Sequence, residues 1–219
     1  MIFMVEKLLY QKLKIMLQQY KIDEYGKEIL LQDDKHQVMM EWEKPYMESC
    51  INKLQPKGDV LEIGFGMGYS ATQIQKYNPK SHTIIEMDTT VIKRLKKWAK
   101  DYDNIIIVEG TWQSQMKNIG IFDEIFFDDY PLKVPENDLE RKLLIERFPM
   151  FLDICRYSHS KPTTKISGYI HDPKGTFKQR MDENPNYSYE EYYMDIDLPD
   201  NCNYYRDNKG IIPIIKMRL

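Results

Sequence analysis

Apolar positions along this chain recur with two different periods, and the alternation between them sketches the architecture. Short, largely apolar runs cover 59–63, 83–87, 105–108, 121–127 and 165–170. Each has the length of a strand, and continuous apolar character suits strands covered on both faces. Between them lie stretches with apolar residues three and four apart, which predict helices over 67–77, 90–101, near 114–118 and over 139–154. The last carries Leu143, Leu144, Phe148, Phe151 and Leu152, with Pro149 expected to kink it. Strand–helix alternation implies an α/β fold with a doubly wound, mostly parallel sheet. Further on, 189–196 and 211–217 read as strands, the later one antiparallel. Ahead of the first strand, Leu8, Leu9, Leu13, Met16 and Leu17 predict a helical segment over 4–55, broken near 21–34. No repeat or linker interrupts the pattern. The chain therefore reads as a single domain over 1–219, with an N-terminal helical segment (1–55) and an α/β core (56–219).

The first core strand leads into the most informative stretch. Val60 to Ala71 reads Val-Leu-Glu-Ile-Gly-Phe-Gly-Met-Gly-Tyr-Ser-Ala, an apolar run followed by Gly64, Gly66 and Gly68 and then a helical pattern. A glycine turn between strand and helix lets the backbone adopt conformations a Cβ forbids and pass close to a bound nucleotide. Gly66 to Ala71 also satisfies the dinucleotide fingerprint, which leaves NAD as an alternative ligand. Glu62 followed by Gly-x-Gly-x-Gly resembles the first motif of the class I, Rossmann-like methyltransferases that use S-adenosylmethionine. The next strand ends at Glu86, about 20 residues on, where an acidic residue takes ribose hydroxyls. After the third strand, Gly110-Thr111-Trp112 places a small residue and an aromatic where they can face an adenine ring; core packing is the competing role for Trp112.

Two more stretches narrow the resemblance. Gln37 to Met47 reads Gln-Val-Met-Met-Glu-Trp-Glu-Lys-Pro-Tyr-Met, and the fourth strand runs into Asp128-Asp129-Tyr130-Pro131-Leu132. Together with the glycine turn these resemble guanidinoacetate methyltransferase and its relative that methylates the internal nitrogen of arginine in proteins. The likeness spans about 37–132, and returns faintly at Asn201-Cys202-Asn203-Tyr204-Tyr205 and Ile212-Pro213-Ile214. It implies a cofactor site built from Met47, Glu62, Gly64, Gly66, Gly68, Glu86, Gly110, Thr111, Trp112 and Asp128, and catalytic roles for Asp128 and Glu43. The chemistry agrees. A guanidino group is protonated near neutral pH, so its methylation needs carboxylates to hold the planar cation and accept a proton. Asp128 also ends the fourth strand, and ligands of open α/β sheets bind beyond the carboxyl ends of strands. Asp128 reads as proton acceptor and Glu43 as second clamp; taken singly, Glu43 is also a surface acid and Asp128 a turn residue. Asp129 reads as a turn residue.

In guanidinoacetate enzymes the segment after the fifth strand offers backbone N–H groups to the acceptor carboxylate. The corresponding stretch here is Tyr169-Ile170-His171-Asp172-Pro173, in which Pro173 has no N–H and Asp172 repels an anion. Guanidinoacetate is thereby disfavoured relative to arginine in a peptide. His171 reads as a surface loop residue.

Composition adds limits rather than direction. The 219 residues are 42% hydrophobic, enough for a full core, and a net charge of −3 gives no global attraction to nucleic acid. Lys93, Arg94, Lys96, Lys97 and Lys100 read as the solvated face of a helix. Neither a leader pattern nor a membrane-length span is evident, and three separated cysteines without Cys-x-x-Cys point to a reduced, cytoplasmic setting without structural metal. The acids from Asp182 to Asp200, interleaved with Tyr187, Tyr189, Tyr192 and Tyr193, read as a solvated edge strand, with an arginine-peptide surface as the alternative. The whole suggests an S-adenosylmethionine-dependent N-methyltransferase acting on a small guanidino acceptor or on arginine in a peptide, without nucleic-acid or membrane partners. A protein arginine methyltransferase and a silent binding module of the same fold are the alternatives; oligomeric state is open.

Overall fold

The computed structural model describes residues 18–129, 138–172 and 174–218, with the side chains of 138–143 left aside. The expected helix around Leu8 to Leu17, and Tyr130, Pro131, Leu132 and Pro173, lie outside the described residues.

Residues 18–40 depart from the expected helical segment. They form an antiparallel meander of β1 (Gln18–Ile22), β2 (Glu28–Gln32) and β3 (His36–Met40). Its turns explain why. Gly26 (φ 75°) closes the first, and Asp33 and Asp34 (φ 50° and 61°) form the second. Two successive left-handed residues suit a tight hairpin, and Asp tolerates that region better than most. Among the described residues, helical structure begins with a short turn at Glu41–Glu43 and α1 (Lys44–Leu54), which has Pro45 in its first turn.

The core follows the predicted alternation closely. In order come β4 (Asp59–Ile63), α2 (Tyr69–Gln75), β5 (Ser81–Glu86), α3 (Thr89–Trp98), β6 (Ile105–Glu109), α4 (Trp112–Gln115), β7 (Phe122–Phe127), α5 (Asp138–Ser158), β8 (Ser160–Gly168), α6 (Thr176–Glu183), β9 (Tyr187–Asp195) and β10 (Lys209–Met217). Seven strands make one sheet in the order β6-β5-β4-β7-β8-β10-β9. The first five are parallel, and β10 runs antiparallel to both its neighbours. Helix α6 was not expected; with only Phe177 and Met181 as its apolar face, it lacks a periodic signal.

Because side chains alternate across a strand, each core strand feeds two hydrophobic layers. Val60, Ile84, Phe126, Ile212 and Ile214 pack toward Met47, Ile51, Ile74 and Leu95 of α1, α2 and α3. Leu61, Ile85, Ile125, Phe127 and Ile215 pack toward Trp112, Phe151, Leu152 and Met181 of α4, α5 and α6. Helix α5 continues through Pro149, which withholds the N–H that Ile145 would otherwise receive. The acidic strand β9 is the sheet edge, with Tyr193 exposed. Among the described residues no helix is long and apolar enough to cross a membrane.

The meander lies over the glycine turn. Tyr20 Oη donates to the Gly66 carbonyl at 2.7 Å, and the Gln18 N–H reaches Asp88 Oδ2 at 3.3 Å. Asp88 also caps α3, accepting from the Thr90 and Val91 N–H groups at 2.8 and 3.0 Å.

Candidate functional site

At the carboxyl ends of β4, β5 and β7 the strands open into a cavity of about 1230 Å³. The glycine turn forms one wall. The Gly64 N–H donates to the Ile85 carbonyl at 2.9 Å, and the Asp128 N–H to the Ile63 carbonyl at 3.0 Å, so turn and fourth-strand end are stitched together. Gly64 sits at φ 82°, and a Cβ there would collide with the Asp128 carbonyl oxygen. Gly68, at φ 78°, opens α2. Both positions need glycine for the turn to close this tightly.

Glu86 lines the cavity beside the turn. Its Oε2 accepts from the Phe65 N–H at 2.9 Å, and its Oε1 from the Met87 and Asp88 N–H groups at 2.6 and 2.8 Å. Burial raises its pKa, with those three donors pulling the other way. Gly110, Thr111, Trp112 and Gln113 form the next stretch of wall. Thr111 caps α4 through the Ser114 N–H at 3.2 Å. Trp112 packs in the core, the competing role, and stands on the cavity wall as well. Its ring packs edge-on against Phe127 and Phe151 at 5.8 and 5.4 Å, and it also borders the cavity. Gln113 Oε1 is buried there without a hydrogen-bond partner among the described residues, an acceptor of the kind that a ligand donor satisfies.

Two residues named with the cofactor stand elsewhere. Met47 is fully enclosed in the core on α1, away from the cavity lining. Glu62 lies behind the glycine turn, fully buried, where it accepts from Ser70 Oγ and pairs with His82 Nε2 at 2.8 Å. Gln75 Nε2 meets the other ring nitrogen of His82 at 3.1 Å. This arrangement ties strand β4 to the first turn of α2, and Glu62 thereby braces the turn rather than facing the cavity.

Glu43 and Asp128 both line the cavity; Glu43 is buried, and Asp128 is half-buried at its wall. Burial pushes Glu43 up to about 7, against the donors Tyr204 Oη and the Met40 N–H at 3.1 Å. Asp128 is raised well above the usual carboxylate range by burial first, then by the neighbouring charges of Glu43, Glu62, Asp129 and Glu86. Its carboxyl has no hydrogen-bond partner among the described residues. Such a cluster of enclosed acids, with a face open to a cavity, is matched to a cationic ligand.

Asp129 is more than a turn residue. It accepts from Trp112 Nε1 at 2.5 Å and pairs with Arg147, joining the fourth-strand end to α4 and α5. After β8, Tyr169, His171 and Asp172 all line the cavity; His171 Nε2 pairs with Asp207 at 2.7 Å, and Asp172 caps α6. The Asp172 carboxylate takes the N–H groups of Thr176, Phe177 and Lys178 at 2.8, 2.9 and 3.0 Å. The anion-attracting end of that helix is therefore filled by the protein's own acid.

Sequence reasoning gave no role to the segment that closes the far wall. Gln37 Nε2 donates to the Asn201 carbonyl at 2.7 Å, and Gln37 Oε1 accepts from the Asn203 N–H at 2.8 Å. Trp42 packs on Tyr204 and Tyr205 at 6.0 and 5.3 Å. The two stretches that carry the strong and the faint parts of the resemblance are thus in direct contact, and that faint return was the one available signal.

Known proteins bear on this geometry in three ways. A protein arginine N-methyltransferase 2 of Candida glabrata is 37% identical over 107 residues, covering 46% of this chain and 26% of that protein. The protein of the same name from Saccharomyces cerevisiae is 37% identical over 108 residues, with the same coverage. The chain thus spans about a quarter of the length of these curated relatives. Among solved structures, spermidine synthase from Thermotoga maritima superposes with a TM-score of 0.62 at 17% identity, over 93% of this chain and 69% of that one. Precorrin-6y C5,15-methyltransferase from Geobacter metallireducens GS-15 gives 0.56 at 13% identity, over 80% and 87%. These likenesses show a class I methyltransferase fold. The description of the guanidinoacetate N-methyltransferase family matches residues 18–147, more than half of the chain and the whole of the glycine turn, Glu43 and Asp128; the chain belongs to that family.

Proposed function

We propose that this protein is an S-adenosylmethionine-dependent N-methyltransferase whose acceptor is the guanidino group of an arginine within a polypeptide. The observation that carries the reading is the pair of carboxyls, buried Glu43 and half-buried Asp128, that line one cavity beside the glycine turn. The cofactor fits the residues present. The turn has no room for a Cβ at Gly64, Glu86 stands at the end of β5, and Gln113 Oε1 is a buried acceptor in want of a donor. When bound, S-adenosylmethionine supplies an electrophilic methyl group on a sulfonium.

The chain's own residues do the rest. Glu43 and Asp128 hold the guanidinium, and their enclosure excludes water that would weaken the attraction. As the methyl group would pass to the attacking nitrogen with loss of the sulfonium S–C bond, leaving a neutral thioether, that nitrogen would shed a proton, and Asp128 Oδ would be the acceptor. Burial and four neighbouring acids raise the proton affinity of that carboxyl, which suits it to the task. The helix end occupied by Asp172 favours arginine in a polypeptide over guanidinoacetate, whose carboxylate would find those N–H groups already bonded.

The test is a labelled-methyl transfer assay against guanidinoacetate, free arginine and arginine-rich peptides. Peptide arginine is expected to show the highest catalytic efficiency. Equal or better efficiency on guanidinoacetate overturns the acceptor assignment. No transfer to any guanidino compound, together with retained cofactor binding, favours a silent binding module instead.

A further inference from the structure

Glu43 is held asymmetrically. Tyr204 Oη and the Met40 N–H both bond to Oε1, while Oε2 has no hydrogen-bond partner among the described residues. Tyr204 itself borders the cavity. Its position is fixed from two sides, by the Trp42 ring at 6.0 Å and by Gln37, which donates to the Asn201 carbonyl and accepts from the Asn203 N–H. Two donors saturate the lone pairs of one carboxylate oxygen and set the plane of the group.

We infer that Tyr204 is a positioning residue for the acceptor site: its hydroxyl, with the Met40 N–H, locks one oxygen of Glu43 so that the other alone is presented to the guanidinium. This deepens the guanidino reading above and rests on it. A division of labour follows. Glu43 offers a single oxygen, whereas Asp128 keeps both of its own and is the carboxyl able to form a two-pronged contact. Tyr204 never touches the reacting atoms; it acts through Glu43. The other titratable groups facing Glu43 are Asp128 at the end of β7, Tyr169 after β8, Tyr69 at the start of α2, and Tyr205. None of these is a cation, so the Tyr204 hydroxyl is the one side chain among them that favours the ionised form of Glu43.

Tyr204→Phe keeps the ring on Trp42 and removes only the hydroxyl. The deciding measurement is the titration of the Glu43 side-chain carboxyl by carbon-13 NMR, its signal assigned by its loss in Glu43→Gln. In Tyr204→Phe the Glu43 midpoint is expected to move to higher pH, because the donor that favours the charged form is gone. KM for an arginine peptide should rise about tenfold with a smaller change in kcat, the value of one hydrogen bond to a charged group. The acid limb of kcat/KM should move to higher pH in step. The thermal shift given by S-adenosylmethionine should match wild type, which also reports an intact fold. An unmoved Glu43 midpoint in Tyr204→Phe overturns the inference whether or not any acceptor turns over. If wild type methylates no guanidino compound, the functional reading falls, while the carboxyl titration still decides the role of Tyr204.

Discussion

Replacing Glu43 by Gln should make the empty protein more stable at neutral pH, and the gain should vanish in acid. Folding carries Glu43 from an ordinary 4.5 to about 7. The folded state therefore binds the proton more tightly than the unfolded one. The stability linked to that proton is full below the unfolded value and is lost as pH rises through the folded one. At 1.36 kcal/mol per pH unit, the interval from 4.5 to about 7 amounts to on the order of 3 kcal/mol. Gln has nearly the shape of the protonated acid and keeps an acceptor for Tyr204 and the Met40 N–H. Urea unfolding of both proteins, without ligand, from about pH 4.5 to 8 measures the difference directly. Near the lower limit the two should agree; by the upper limit Glu43→Gln should lead by a few kcal/mol. A difference that stays flat across this range, or one that favours wild type as pH rises, would refute the claim that Glu43 is a desolvated acid without a cation beside it. The same substitution should abolish productive acceptor binding, so stability and activity move in opposite directions.

Asp128→Asn should lower the rate of methyl transfer by ~10²–10⁴, the usual worth of a general base, and leave cofactor affinity nearly unchanged in a thermal-shift titration; near-wild-type turnover would remove Asp128 from the chemistry. Asp129→Asn is no silent control, since it weakens the link to Trp112 and Arg147: a lower melting temperature is expected, whereas loss of transfer with Asp128→Asn still active would mean that the wrong acid of the pair carries the proton. Gly64→Ala should cost more than the ~1–2 kcal/mol of a strained left-handed residue, because its Cβ meets the Asp128 carbonyl, and should eliminate the cofactor-induced thermal shift. Gly26→Ala, also at positive φ but with open space around it, should show only the backbone penalty; equal losses in both would deny the close approach. Asp172→Ala should destabilise by about 1 kcal/mol as a lost helix cap and improve the relative efficiency on guanidinoacetate, and a substrate preference unaltered by it would separate this helix end from the acceptor site.

The sequence was most legible where one signal sufficed. Strand β4 spans the predicted 59–63, because the apolar Val60, Leu61 and Ile63 are buried on both faces and the glycine turn ends the run. The meander was misread because Ile29, Leu30, Val38, Met39 and Met40 are spaced ambiguously, and its hairpins are set by Gly26, Asp33 and Asp34 rather than by strict alternation. That Glu86 and Asp128 would meet at one cavity was readable from the strands they end, and Glu43 joins them through the stretch 37–47 that carries the resemblance. Glu62 misled for the opposite reason: its neighbours in sequence face the ligand side, but a strand side chain one position earlier faces away, into His82 and Ser70. Tyr204 was beyond local reasoning altogether, since its partner lies 161 residues away.

The last strand in the chain is not the last strand in the sheet. β10 lies between β8 and β9, hydrogen-bonded along both sides, so β9 has nothing to join until its successor has been made. On the ribosome the glycine turn, Glu86 and Asp128 exist and can assemble well before residue 209 is added. The Asn201–Tyr205 loop that braces Glu43 is anchored by that final strand. A growing chain would thus have the turn-side wall of the cavity before the loop that braces Glu43. Damage that removes β10 would take an edge strand and the loop's anchor with it, leaving the glycine turn and Glu86 in place but Glu43 without its Tyr204 brace.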